Sequence, residues 1–285
     1  MKTRITRLFG LPGMITVIIV LAGCHGDGEL QNESVTIELE EAESVRAMVK
    51  LGSGSLSVAG GAEKLLEADF AYNVAGWKPE IQYRVREKQG ELTITQPGTK
   101  SWWMRAGTRN DWKLRFNRNI PLDLRFIQRA AKSMLNLGNL NIHKMSLQVA
   151  KSDVTADLSG DHSALSRLDI DMEGGTLTIG LTGTYASLTR MKTNASSGKI
   201  DMDLAGAWHC DLKATFRSTS GDIRLHLPED AGVRIKTKTI TGKVEDGGLH
   251  FENGVYLNEA YGKSTATLDL ELYSSSGDII LTTGK

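Results

Sequence analysis

Apolar and polar residues alternate with a period of two in run after run of this chain. Leu168-Asp-Ile170-Asp-Met172, Leu212-Lys-Ala214-Thr-Phe216 and Leu268-Asp-Leu270-Glu-Leu272 are regular examples, and Leu188-Thr-Arg-Met191-Lys-Thr193 is a looser one. Successive side chains of a strand point to opposite faces, so the pattern predicts strands with one buried and one wet face. A glycine phrase recurs between the runs. It reads Glu173-Gly174-Gly175-Thr176-Leu177, Ser196-Ser197-Gly198-Lys199-Ile200 and Thr219-Ser220-Gly221-Asp222-Ile223. Weaker copies stand at Ile240-Thr241-Gly242-Lys243-Val244, Ser275-Ser276-Gly277-Asp278-Ile279 and Gly52-Ser53-Gly54-Ser55-Leu56.

Glycines 175, 198, 221 and 242 are spaced by 23, 23 and 21 residues, and the step of 35 to Gly277 predicts an insertion around 247–262. Two strands of about five residues plus two turns fill about 20–23 residues, the size of one solenoid coil. Glycine at the bend tolerates positive φ and leaves no Cβ where coils stack about 4.8 Å apart. The chain is therefore expected to be all-β: a single-stranded, β-helix-like solenoid with coils of about 21–23 residues. An antiparallel sandwich with glycine-rich turns is the alternative, and the constant spacing favours coils. One stretch, Phe126 to Leu137 (FIQRAAKSMLNL), has residues suited to a helix, although tertiary context can make it a strand.

The N-terminus carries a different signal. Residues 1–23 hold Lys2, Arg4 and Arg7 and no acid, and the run from Ile15 to Ala22 is apolar apart from Thr16. A basic region followed by so short an apolar run predicts a secretory leader rather than a membrane-spanning helix. The leader ends in Leu21-Ala22-Gly23-Cys24, which resembles the bacterial lipobox. The resemblance implies that the Cys24 thiol receives a diacylglycerol, that residues 1–23 are removed as a lipoprotein signal peptide, and that acyl chains such as palmitate hold the protein on a membrane. Residues 24–34, polar and glycine-containing, are expected to be a flexible tether. His25 stands where an inner-membrane retention signal would place Asp, so in a host with an outer membrane the expected address is that membrane.

Composition narrows the function classes. The 34 basic and 34 acidic residues balance, which argues against nucleic acid as a partner. Without the three leader cations the remaining 262 residues are slightly acidic. Hydrophobic residues at 40% exclude wholesale disorder, and two cysteines make no disulfide framework. Cys210, left single once Cys24 is acylated, reads as a small buried residue rather than a nucleophile.

Chemistry-bearing motifs are sparse. The histidines at 25, 143, 162, 209, 226 and 250 have no metal-ligand spacing, and His209-Cys210 would point to opposite faces of a strand. Aspartates at i, i+2 along exposed strands read as solubilising charges rather than a glycosidase pair. No catalytic residues, metal site or cofactor are therefore expected. The one binding candidate is aromatic and basic: Trp102 and Trp103, close to Arg105, Arg109 and Trp112. Such a cluster suits a glycan, lipid headgroups or a protein partner. Its competing role is a hydrophobic cap that closes one end of the solenoid.

Longer stretches resemble the toast-rack domains, relatives of adhesin-like β-solenoids and of the C-terminal domain of LiaF-type envelope-stress regulators. These are Leu51-Gly-Ser-Gly-Ser-Leu-Ser-Val-Ala-Gly-Gly-Ala62, Leu66-Glu-Ala-Asp-Phe70, Asn73 to Pro79, Asp111-Trp-Lys-Leu-Arg-Phe-Asn117, Ile120-Pro-Leu-Asp-Leu124 and Asn258-Glu-Ala-Tyr-Gly-Lys263. After Leu124 the family carries a Gly-Ala-Gly-like phrase, and here Gln128-Arg-Ala-Ala-Lys-Ser133 stands instead. The resemblance implies an extracytoplasmic solenoid with a toast-rack region over 35–125 and continuous coils over 126–285. Three functions follow as expectations. The first is an anchored, non-catalytic module of the cell envelope that binds another protein or an envelope component such as a glycan. The second is a structural or sensory protein of an envelope-stress response. The third is a polysaccharide-active enzyme, resting on fold analogy alone.

Overall fold

The structure, a computed structural model, describes residues 16–18, 28–98 and 107–284. Its first strands are β1 (Thr16–Ile18), β2 (Gln31–Ile37), β3 (Ser44–Gly60), β4 (Leu66–Tyr72), β5 (Glu80–Arg86), β6 (Gln89–Thr95), β7 (Asn110–Phe116) and β8 (Leu122–Asn136). The long strands β3 and β8 run parallel from Val45↔Leu122 to Val58↔Leu135 and bend halfway. Each thus gives its first half to one face of the molecule, face A, and its second half to another, face B. The coils that follow repeat this division. They comprise β9 (Ile142–Val149), β10 (Ser152–Asp157), β11 (Arg167–Met172), β12 (Gly175–Gly180), β13 (Thr184–Tyr185), β14 (Arg190–Ala195), β15 (Lys199–Asp203), β16 (Ala207–Trp208), β17 (Leu212–Ser220) and β18 (Ile223–Leu227).

Strands β9, β11, β14 and β17 stack in parallel on face A, and β10, β12, β15 and β18 on face B. The short pair β13 and β16 forms a third side. The stacking carries each residue onto the one 23 positions later, which brings like residues together inside. Met145, Leu168, Met191 and Ala214 form one buried ladder, and Val154, Leu177, Ile200 and Ile223 another. The fold is the expected β-solenoid, held by its interior rows of aliphatic side chains.

The corner between faces A and B explains the glycine phrase. Gly221 has φ of 118°, and a methyl group there would lie 1.8 Å from the carbonyl oxygen of Gly198 in the preceding coil. No L-residue fits both conditions. At the two successive corners without glycine, Ala131 and Ser152 occupy the equivalent positions, and the Ser152 hydroxyl accepts a hydrogen bond from the Ala131 amide at 3.0 Å. The turn strain falls instead on Lys151, with φ of 41°. Phe126–Leu137, the stretch suited to a helix by composition, lies in strand β8 almost throughout. Phe126, Gln128, Ala131, Ser133 and Leu135 point inward, a period of two interrupted only at the bend, and pairing with β3 and β9 decides the outcome.

The two ends depart from simple coiling. At the N-terminal end antiparallel strands close the stack: β5 lies on β6, and β2 lies on β4, which lies on β7. Residues 31–34, expected to belong to the tether, are the first half of β2. The correction has a physical cause: this half is polar on both faces, and its order comes from backbone pairing with β4 and from the Ser34 hydroxyl donating to Asp69 at 2.7 Å. β1 pairs antiparallel with the other edge of β2. Among the described residues with resolved burial the hydrophobic core begins only at Val35.

At the C-terminal end the chain forms β19 (Gly232–Thr239), β20 (Val244–Glu245), β21 (His250–Glu252) and β22 (Val255–Leu257), and finishes with β23 (Thr267–Ser276) and β24 (Ile279–Thr283). The last two do not form the last coil. β23 pairs with both β17 and β19, and β24 with both β18 and β20. The final coil in sequence is therefore the penultimate coil in space. The corner glycines run 221, 277, 242 along the stack, so the spacing of 21 to Gly242 skips a coil. The insertion includes the β21–β22 hairpin, as the spacing suggests, and also the displaced coil of β19 and β20.

Candidate functional site

Face B is hollowed where β4, β7, β3, β8 and β10 lie side by side. One row of outward positions reads Asp69, Lys113, Ser57, Met134 and Thr155, and the neighbouring row reads Ala71, Asp111, Ser55, Lys132 and Asp153. Ser55 and Ser57 are short and their neighbours long, so the β3 row becomes the floor of a trough of about 700 Å³. Met134 is 57% exposed on its wall, an apolar side chain amid polar ones.

The polar groups of the trough are already organised. The Ser55 hydroxyl donates to Asp111 at 2.6 Å, and Arg109 Nε donates to the other carboxylate oxygen at 2.5 Å. Burial alone would raise the Asp111 carboxyl, but the Ser55 hydrogen bond and the Arg109 charge outweigh it and hold the group below the usual carboxylate range. Asp153 accepts the Thr176 amide at 3.1 Å. Carboxylates fixed in this way by donors are good fixed acceptors for hydroxyl or amide donors of a ligand.

The residues named from the sequence separate here. Cys24, Trp102, Trp103 and Arg105 lie outside the described residues. Arg109 is exposed at the rim of the trough. Trp112 is not part of any surface: it is fully buried, it meets the Phe70 ring edge-to-face at 5.3 Å, and its indole N–H donates to Asn110 Oδ1 at 2.9 Å. Alternation along β7 decides this, because Asp111 and Lys113 take the outward positions and Trp112 the inward one. Met134 and the serine floor carry no local sequence signal, since parallel stacking assembles them from segments far apart in the chain.

A second cluster lies inside the third side of the coils. His162, Tyr185 and Trp208, each 23 residues apart, stack with centroid separations of 6.0 and 4.7 Å. His162 is buried and neither ring nitrogen has a hydrogen bond of good geometry. Burial lowers its pKa, and the Ser159 carbonyl with Asp161 and Asp157 only partly offsets that effect. In the unfolded chain the group titrates near its ordinary value of about 6.5. The unfolded state therefore binds the proton first as pH falls. The stability from a neutral His162 is complete above about pH 6.5 and is lost below it, down through the lower folded pKa. Melting temperature is expected to drop between neutral pH and about pH 5, and His162→Phe should shrink that drop measurably. An unchanged drop in the variant would assign it to other groups. Cys210 is half-buried with its thiol pKa raised chiefly by burial, as expected of an inert cysteine. Among the described residues no three His, Cys, Asp or Glu gather as metal ligands, and no helix is long and apolar enough to cross a membrane.

Comparison with known proteins adds the following. The sequence profile of the N-terminal domain of toast_rack, DUF2154, matches residues 26–180. The crystal structure of a candidate cell adhesion protein from Clostridium sporogenes is similar over 90% of this chain and 100% of that one, with a TM-score of 0.53 and 25% identity. That of a candidate adhesin from Bacteroides fragilis covers 88% of this chain and 97% of its own, with a TM-score of 0.48 and 11% identity. No protein of curated function matches the sequence.

Proposed function

The chain belongs to the toast-rack family, and on that premise we propose that it is a non-catalytic binding module of the cell envelope, anchored outside the cytoplasm through acylated Cys24. The observation that carries the binding role is the serine-floored trough on face B. It is open and of ligand size, Asp111 is paired with Arg109 and Asp153 is held by the Thr176 amide, and one exposed methionine offers an apolar contact. Similarity to the Clostridium sporogenes candidate cell adhesion protein over nearly the whole chain supports an adhesin-like role. The leader and the lipobox-like Leu21-Ala22-Gly23-Cys24 support the anchor. The ligand class that suits the trough is a neutral glycan or a polar peptide segment of the envelope, with hydroxyl or amide donors for Asp111 and Asp153.

Ser57→Arg tests this reading, because it fills the floor of the trough from an outward position without touching the core. Retention on envelope preparations of the host is expected to fall at least tenfold for the variant, the loss of one central contact. Unchanged retention with an unchanged melting temperature would remove the trough from the binding surface.

A further inference from the structure

Face A differs from face B in the arrangement of charge. Register-equivalent positions on four consecutive strands, β9, β11, β14 and β17, carry Lys144, Arg167, Arg190 and Lys213. Adjacent strands are about 4.8 Å apart, so this is a continuous cationic ladder, and Lys192 adds a second row beside it. Lys144 lies 3.9 Å from Asp123, and Arg167 bonds to Asp169. Arg190, Lys192 and Lys213 are exposed and make no ion pair among the described residues. At outward positions across the whole of face A basic residues outnumber acidic ones by about two to one, in a chain whose totals are equal. The corresponding row of face B reads Lys132, Asp153, Thr176 and Lys199, with no such run.

Like charges held one strand apart repel, and although Asp169 offsets Arg167, acids on the same sheet do not neutralise Arg190, Lys192 and Lys213: Asp169 and Asp269, in register with the two lysines, are already bonded to Arg167 and Arg234. An external anion would. We propose that face A docks on the anionic lipid headgroups of a bilayer. Two features favour a lipid surface over a single anionic polymer. The unpaired cations are spread over two strands and two rows of an open sheet, an array that meets several phosphates at once. A large hollow of face A, of about 1010 Å³, has three of its four arginines tied to acids instead, Arg84 to Glu91, Arg46 to Asp123 and Arg167 to Asp169, while Arg125 donates to Gln148. The anchored reading above also places a bilayer within reach. β2 begins seven residues after Cys24, so an acylated Cys24 would hold the solenoid within about 25 Å of the membrane. A tether so short makes even weak headgroup contacts effective.

The test uses a soluble chain starting at Gly28, which keeps the whole described core and lacks Cys24, so its outcome is independent of acylation. Co-sedimentation is measured with vesicles of phosphatidylglycerol and phosphatidylcholine and with vesicles of phosphatidylcholine alone. Binding is expected only to the anionic vesicles and should weaken with salt. Each cation near the surface contributes about fivefold, so R190Q, K192Q and K213Q together should weaken binding roughly a hundredfold. Face B variants K132Q and K199Q should leave it nearly unchanged, and an unchanged melting temperature confirms that all variants are folded. Equal binding to both vesicle types, or equal loss from the two sets of variants, would overturn the proposal. So would heparin binding as tight as vesicle binding and equally sensitive to the face A substitutions, since that is recognition of a linear polyanion.

Discussion

Gly221→Ala is expected to destabilise the solenoid by about 3–5 kcal/mol, which lowers the melting temperature by about 10 °C. The effect has two sources that act together. The backbone at Gly221 has φ of 118°, a region that costs a residue bearing a Cβ about 1–3 kcal/mol. The new methyl would also lie 1.8 Å from the Gly198 carbonyl oxygen and 2.7 Å from its carbon, distances that backbone must move to relieve. Relief is blocked from the other side, because the next coil stacks so closely at Gly277 that a Cβ there would lie 2.4 Å from the Gly221 carbonyl oxygen. Gly254→Ala is the internal control. Gly254 also has positive φ, at 83°, but a methyl there meets nothing within 4 Å, so only the conformational part remains, about 1 kcal/mol. Thermal melts of the two variants should differ clearly. Equal effects would show that coil stacking does not depend on the glycine corner.

Ending the chain after Ala266 is expected to unfold two coils rather than one. The truncation removes β23 and β24, whose Leu268, Leu270, Leu272, Ile279 and Leu281 are buried. At about 1.5–3 kcal/mol for each side chain, the lost burial is of the same order as the entire stability of a domain. In a solenoid wound in sequence order, losing the last coil leaves the preceding one as a new end. Here β19 and β20 have lost the strands that join them to the body, since they pair with β23 and β24 and not with β17 or β18. Residues 228–266 should therefore become protease-sensitive and exchange their amides rapidly, while the coils before β17 keep their protection. Protection of β19 in the truncated chain would contradict the intercalated order.

Much of this architecture was legible in the sequence, and the reason is its periodicity. Corner glycines 175, 198 and 221 repeat every 23 residues because the coil does, and alternation around them reports which side faces inward. The order of the final coils was not legible. Gly242 follows Gly221 at nearly the right spacing, and no local feature tells that Gly277 will slide between them; only cross-strand pairing specifies it. Strand β8 hid for a related reason, as Gln128 to Lys132 suit a helix locally and are held extended by neighbours on both sides. At the candidate site proximity in sequence drew attention to a cluster of tryptophans and arginines, whereas alternation along β7 turns Trp112 into the core. The trough and the cationic ladder were invisible for the same geometric reason. Parallel stacking aligns residues 23 positions apart, so a surface feature is read across coils and never along one segment.

The central claim is that this solenoid works at the cell envelope on a lipid anchor, and processing of the precursor tests it most directly. Wild type and Cys24→Ala are expressed with and without globomycin, and membrane and soluble fractions are compared. The account predicts that the wild type is found in the membrane fraction and accumulates as precursor when globomycin is present, and that Cys24→Ala is soluble or unprocessed. Identical fractionation of the two proteins, with no effect of globomycin, would contradict it.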